Sequence, residues 1–204
     1  ARVFVPVDDE HKMLWRHSIE TAMIAEFLAL RMGEFHIDPG LAYLCGLLHD
    51  IGRLVMLDTV PNALAKTPSS SWSSAEELPK VEKATIGYDH SEVGLIACKH
   101  WHLPTVVCNI VRGHHMYSIF AKKELPEQIR NLILIIQFSD FVSINLSKNP
   151  DWLDLPSKHL EEKIKETCVH KRWGNVSLPI KDVSSELAHL IEKSYLMAQS
   201  IGCT

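Results

Sequence analysis

The sequence predicts an all-α protein, a helical bundle with additional helices toward the C-terminus. Apolar residues recur at helical spacing in segment after segment. Capping signals stand where several of these segments begin, and no pair of segments reads as strands. With 204 residues and 46% hydrophobic content, the chain can bury a sizeable core as one domain, or as one domain with an appendage.

The first helix opens after Asp8-Asp9 and carries Leu14, Thr21, Ile24 and Leu28 on one face up to Gly33, and His17 falls on that same face. A second helix, about 38–48, carries Leu41, Leu44, Leu47 and Leu48 and delivers His49-Asp50 at its end, where Gly52 can turn the chain. Periodicity disappears over 58–79, and the Ser-rich stretch 67–74 reads as a long loop, either a surface insertion or a lid with Trp72 as the aromatic to test. Helical character returns over 78–86. Asp89-His90-Ser91-Glu92 then has capping-box form, which puts His90 in the first turn of a helix running through Val93, Ile96, Ala97 and Trp101. Pro104 is placed as the first residue of the next helix, which carries Val107, Ile110 and Val111 and ends in Gly113-His114-His115. A long helix over 126–146 has Ile129, Leu132, Ile133 and Ile136 on one face, with Asp140 four residues after Ile136. Two amphipathic helices, about 157–173 and 181–201, complete the chain, giving a core over 1–147 and C-terminal helices over 148–204 packed on it.

Composition narrows the function classes. Net charge is −4, and the 21 basic residues form no run of the kind that binds nucleic acid or a membrane surface. Cys45, Cys98, Cys108, Cys168 and Cys203 are widely spaced without a Cys-x-x-Cys, which argues against a disulfide framework or a thiolate zinc site. No uninterrupted apolar run approaches the roughly 20 residues of a membrane helix, and the first residues do not read as a signal peptide, so the expectation is a cytoplasmic protein. Two glycosylation sequons, at Asn145 and Asn175, are discounted on that ground.

The compositional oddity is twelve histidines. His17 and Asp140 fall on apolar helix faces, and His49-Asp50, His90 and His114-His115 stand at helix ends. Imidazole and carboxylate donors without thiolates suit iron, manganese, zinc or similar divalent ions, and one carboxylate held between two ions can bridge them. Each residue alone has a plainer reading. A single histidine on an apolar face is more often a hydrogen-bonded core residue, and Asp140 could cap a neighbouring helix or pair with an arginine.

Taken in order, Trp15-Arg16-His17-Ser18, the block Gly46-Leu47-Leu48-His49-Asp50-Ile51-Gly52-Arg53-Leu54, Gly87-Tyr88-Asp89-His90-Ser91-Glu92-Val93-Gly94, Trp101-His102-Leu103-Pro104 and His114-His115 resemble the HDOD family, the HD-related output domains of bacterial signalling. The resemblance covers about residues 10–145 and implies an HD-domain helical bundle. It also implies a further N-terminal helical portion in the parent chain, and packing roles for Trp15 and Trp101. Position by position it implies metal ligands at His17, His49, Asp50, His90, His114, His115 and Asp140, similar to the two-metal arrangement of HD-GYP phosphodiesterases, with Asp50 bridging. The implied cofactors are two divalent ions, and the implied partner is a signalling protein or a small phosphate-containing ligand.

Departures from the HD-GYP pattern bear on catalysis. Arg53 stands where those enzymes carry lysine, keeping the charge but offering a planar fork that can hold a phosphate. Gly87-Tyr88-Asp89 is not Gly-Tyr-Pro, and Met13 replaces an extra glutamate ligand, so no third ion is implied. Two functions stay open: a signalling module whose metal centre is structural or sensory, and a metal-dependent phosphohydrolase with Asp50 and Arg53 in catalysis. His11, His36, His100, His102, His159, His170 and His189 match no ligand position and are expected on surfaces or in ordinary hydrogen bonds.

Overall fold

The structure is a computed structural model that describes residues 6, 8–60, 62, 66–68, 71, 72, 74–122 and 124–203. Asp8 accepts a hydrogen bond from the His11 backbone N–H and starts α1, Asp9–Arg31, which buries Leu14, Ile24 and Leu28. Asp38 caps α2, Pro39–Leu48, with Pro39 in its first turn. These two helices cross closely at Gly46, where a Cβ would stand 2.7 Å from the Ala22 Cα.

Gly52 does not turn the chain. The backbone turns at His49-Asp50, and Gly52 lies inside α3, Ile51–Thr59, a short helix that sequence periodicity did not separate from the loop after it. Glycine is required there by a neighbour rather than by its own dihedrals. After α4, Leu78–Ile86, and a left-handed Gly87, the expected capping box of Asp89 and Glu92 opens α5, His90–His100, which packs against α3. At Gly52 a Cβ would meet the His90 carbonyl oxygen at 1.9 Å.

Pro104 and Pro126 stand one residue outside their helices, at the cap positions of α6, Thr105–Gly113, and α7, Glu127–Lys148. The predicted helix over 157–173 is broken. α8, Ser157–Cys168, ends at an extended Val169, and a 3-10 turn, Lys171–Trp173, follows before α9, Ile180–Ser200. The break lets His170 accept from the Arg172 N–H while its ring lies 4.7 Å from that of Tyr117. Leu160, Ile164, Val183 and Leu187 of α8 and α9 share one hydrophobic core with Leu14, Leu28, Leu132 and Phe138. No strand occurs among the described residues.

The α7 helix is the most enclosed element. It is apolar and long enough to cross a membrane by length and composition, as is the combined α2–α3 segment, but 72% and 56% of their windows are buried inside the protein. Polar side chains on α7 are buried with partners. The Trp173 indole N–H donates to Gln137 Oε1, and Gln137 Nε2 donates to the His114 carbonyl, each at 2.8 Å. Gln137→Leu is therefore expected to destabilise the fold by about 3 kcal/mol or more, since two buried groups lose their partners. Urea unfolding measures this, and a loss below about 1 kcal/mol contradicts it.

Of the Ser-rich stretch, Ser69, Ser70 and Ser73 lie outside the described residues. Trp72 lies under the Lys148 ammonium, 4.8 Å from ring centre, and Glu76 pairs with Arg172 and His170, so this segment is tied to α7 and to the turn after α8. The five cysteines are free and buried. Burial pushes the Cys45 and Cys168 thiols up to about 12 and Cys98 to about 11. With so little thiolate, these three are expected to resist iodoacetamide at neutral pH in the folded protein and to be alkylated in urea. Mass spectrometry checks this, and rapid native labelling contradicts it.

Candidate metal centre

The seven ligand-type residues come from five places in the fold: His17 from α1, His49 and Asp50 from the α2–α3 turn, His90 from the start of α5, His114 and His115 from the end of α6, and Asp140 from α7. The fold brings them together as two adjoining groups, Asp50 with His90, His114 and His115, and His17 with His49 and Asp140. Within each group the donor atoms lie within 4.8 Å of one another. The groups meet at His49, whose ring lies 5.2 Å from both His17 and His114 and whose Nε2 stands 3.8 Å from both Asp50 Oδ1 and Asp140 Oδ1.

In each of the five histidines Nδ1 faces a second residue while Nε2 turns to the centre. His49 and His114 use Nδ1 to donate to the Gly46 and Val111 carbonyls, at 2.7 and 2.8 Å. A carbonyl only accepts, so the neutral ring keeps its free lone pair on Nε2. Ser143 donates to Glu20 at 2.6 Å, which leaves its oxygen to accept from His17 Nδ1 at 2.9 Å and fixes that tautomer too. His90 Nδ1 pairs with Glu82 Oε2 at 2.5 Å, and His115 Nδ1 lies 3.3 Å from the Tyr117 hydroxyl. His90 Nε2 in turn stands 3.2 Å from His114 Nε2 and 2.9 Å from His115 Nε2. Facing lone pairs repel unless a positive species lies between them. The buried His49 Nε2 has no hydrogen-bond partner. Anchored outer nitrogens, converging inner ones and one orphaned donor fit a metal ion.

The electrostatics agree. Burial alone pushes Asp50 up, but His49, His90, His114 and Arg53 outweigh it and hold the carboxyl well below its usual range. Burial lowers His49 to about 4 despite Asp50 and Asp140, and lowers His115 well below the ordinary value, so both rings stay neutral and able to coordinate. For His17 burial works downward, and its hydrogen bond to Asp140 together with the negative charges of Asp140, Asp50 and Glu20 more than reverses it.

Arg53 reaches Asp50 Oδ2 with one nitrogen at 3.5 Å. Met13, four residues before His17, is half exposed. The histidines outside the ligand set are exposed except His11, buried between Asp8 and Asp58, and His170 in its aromatic cluster. Sequence reasoning missed Glu82, Tyr117, Ser143 and Gln137, all of which contact site residues. Glu82 carried a readable signal: it stands four residues after Leu78, an acid on the apolar face of a short helix, as Asp140 follows Ile136.

Comparisons with known proteins agree with the fold. The HDOD domain family model matches residues 4–117. An uncharacterised protein of Treponema pallidum is 31% identical over 142 residues, which are 69% of this chain and 26% of that protein, so the chain spans about a quarter of that relative's length. In fold, the chain is similar to an HDOD domain protein of unknown function from Geobacter sulfurreducens, with TM-score 0.63, 20% identity, and coverage of 98% of this chain and 66% of that one. It is also similar to a candidate phosphohydrolase from Shewanella amazonensis, with TM-score 0.56, 20% identity, and coverage of 94% and 62%.

Proposed function

The chain belongs to the HDOD family, and on that premise we infer that it is a bacterial, cytoplasmic signal-transduction module with an enclosed two-ion centre. His90, His114, His115 and Asp50 hold one ion; His17, His49 and Asp140 hold the other. Asp50 Oδ1, at 3.4 Å from His114 Nε2 and 3.8 Å from His49 Nε2, supports Asp50 as the bridge. The all-nitrogen-and-oxygen donor set suits iron, manganese or zinc.

The observation that carries a sensory or structural centre over a catalytic one is the burial of most of its ligands: His49, His90 and His114 are at most 1% exposed and Asp140 is 3%, while His17 and His115 are partly exposed. A centre so enclosed registers a small ligand or its own metal loading more readily than it admits a bulky substrate. The Gln137–Trp173 hydrogen bonds offer a physical route from His114 to the C-terminal segment, where a protein partner can read the state. Purified, metal-supplemented protein is expected to leave a panel of nucleotides, cyclic dinucleotides and phosphomonoesters intact. Metal-dependent turnover that disappears in Asp50→Ala overturns the signalling reading.

A second reading, metal-dependent phosphohydrolase, is favoured by the assembled donor set with Arg53 beside it. Arg53 is 12% exposed in its side chain and is held at Asp50. In that reading Arg53 binds the phosphate oxygens of a nucleotide or other phosphate ester, and Asp50 and the histidines orient the ions. Paired divalent ions supply a water-derived nucleophile near neutral pH and stabilise developing charge.

A further inference from the structure

Glu82 is a buried carboxylate, 1% exposed, that belongs to neither group of ligands. Its Oε2 accepts from the His90 backbone N–H at 2.9 Å and pairs with His90 Nδ1 at 2.5 Å. Its Oε1 lies 3.9 Å from Arg53 Nε, a buried nitrogen with no hydrogen-bond partner. A carboxylate this far from water persists only with compensating partners. The partners of Glu82 are a site imidazole and the site guanidinium.

Two consequences follow. An anionic partner at Nδ1 holds that proton in place, directs the His90 Nε2 lone pair toward Asp50 Oδ1 at 3.2 Å, and makes it more basic. The Arg53 head is meanwhile held from two sides, by Glu82 Oε1 and by Asp50 Oδ2 at 3.5 Å, which limits the orientations of a side chain otherwise rich in rotamers.

The geometry points to Glu82 as a positioning residue shared by the two halves of the site, orienting His90 for a divalent cation and Arg53 for an anion such as orthophosphate. This rests on the metal-binding reading above. Glu82 sits on α4, which begins two residues after Glu76, the partner of Arg172.

The test is Glu82→Gln. Both His90 donors converge on one oxygen, which the amide oxygen can replace, so the charge is removed with little change of shape. The amide NH2 then faces Arg53. Expected are a urea midpoint near wild type, Mn²⁺ and Zn²⁺ affinities about tenfold weaker by chelator competition, and weaker orthophosphate binding by calorimetry. In the metal-free protein, the downfield imidazole N–H resonance of His90, assigned by its loss in His90→Gln, is expected to move upfield, a change that a purely structural role does not produce. Wild-type metal and phosphate affinities with an unmoved resonance overturn the inference alone. A wild-type protein that takes up no metal overturns both this inference and the reading it rests on.

Discussion

Gly52→Ala is expected to unfold the protein or come close to it. The added methyl would stand 1.9 Å from the His90 carbonyl oxygen, 2.7 Å from the Gly94 nitrogen and 2.8 Å from the His90 carbonyl carbon. All three are backbone atoms of α5, so no rotamer change relieves the clash, and α3 and α5 must move apart. Overpacking in a core costs typically about 1–3 kcal/mol where side chains can adjust. Here the backbone must shift, so the loss is expected at or above the upper end. The shift also carries His90 away from Asp50, and metal affinity falls with stability. Gly33→Ala is the control, because nothing lies within 4 Å of the methyl it adds. Urea unfolding of the two variants measures the difference. Equal midpoints contradict the close crossing of α3 and α5.

Asp50→Ala is expected to abolish metal binding with the fold retained. Asp50 Oδ1 is the carboxylate oxygen of the three-histidine group, 3.2 Å from His90 Nε2 and 3.4 Å from His114 Nε2, and stands 3.8 Å from His49 Nε2 in the other. Removing it takes the negative charge from between several imidazoles and leaves Arg53 without its nearer carboxylate. Affinity for Mn²⁺ or Zn²⁺ is expected to fall by more than the roughly 10–100-fold that loss of an outer hydrogen-bond partner brings. His49→Ala is expected to lose the His17–Asp140 ion while sparing the His90–His114–His115 one. Calorimetric titration separates the two cases by stoichiometry. Full wild-type binding by Asp50→Ala contradicts its assignment as the bridge.

Much of this was legible in the sequence because helices and their ends write themselves in short-range patterns. The Asp89–Glu92 capping box fixed the start of α5, and with it the position of His90. Apolar spacing placed His17 and Asp140 on inward faces, and the structure sets them 3.2 Å apart. That His49-Asp50 and His114-His115 join them is a long-range fact that periodicity does not contain; the ordered resemblance to HDOD supplied it. The elements that were missed have local causes. Nine residues of α3 follow directly on α2 without a separating loop, so their periodicity merged with what lay on either side. The break after Cys168 depends on His170 and Trp173 finding Tyr117, Phe141 and Gln137 across the chain. Glu82 and Ser143 act on the site through its histidines; Glu82 shows only as an acid on an apolar helix face, and nothing in the neighbourhood of Ser143 distinguishes it from an ordinary polar residue.

The most direct test of a two-ion centre is elemental analysis of protein purified without added metal or chelator, with the metal-to-chain ratio set against that of His49→Ala and Asp50→Ala. Two transition-metal ions per wild-type chain, about one in His49→Ala and none in Asp50→Ala are the predicted result. A wild-type chain that carries no metal, and takes up none on titration with Fe²⁺, Mn²⁺ or Zn²⁺, contradicts it and leaves the seven residues as a buried polar network.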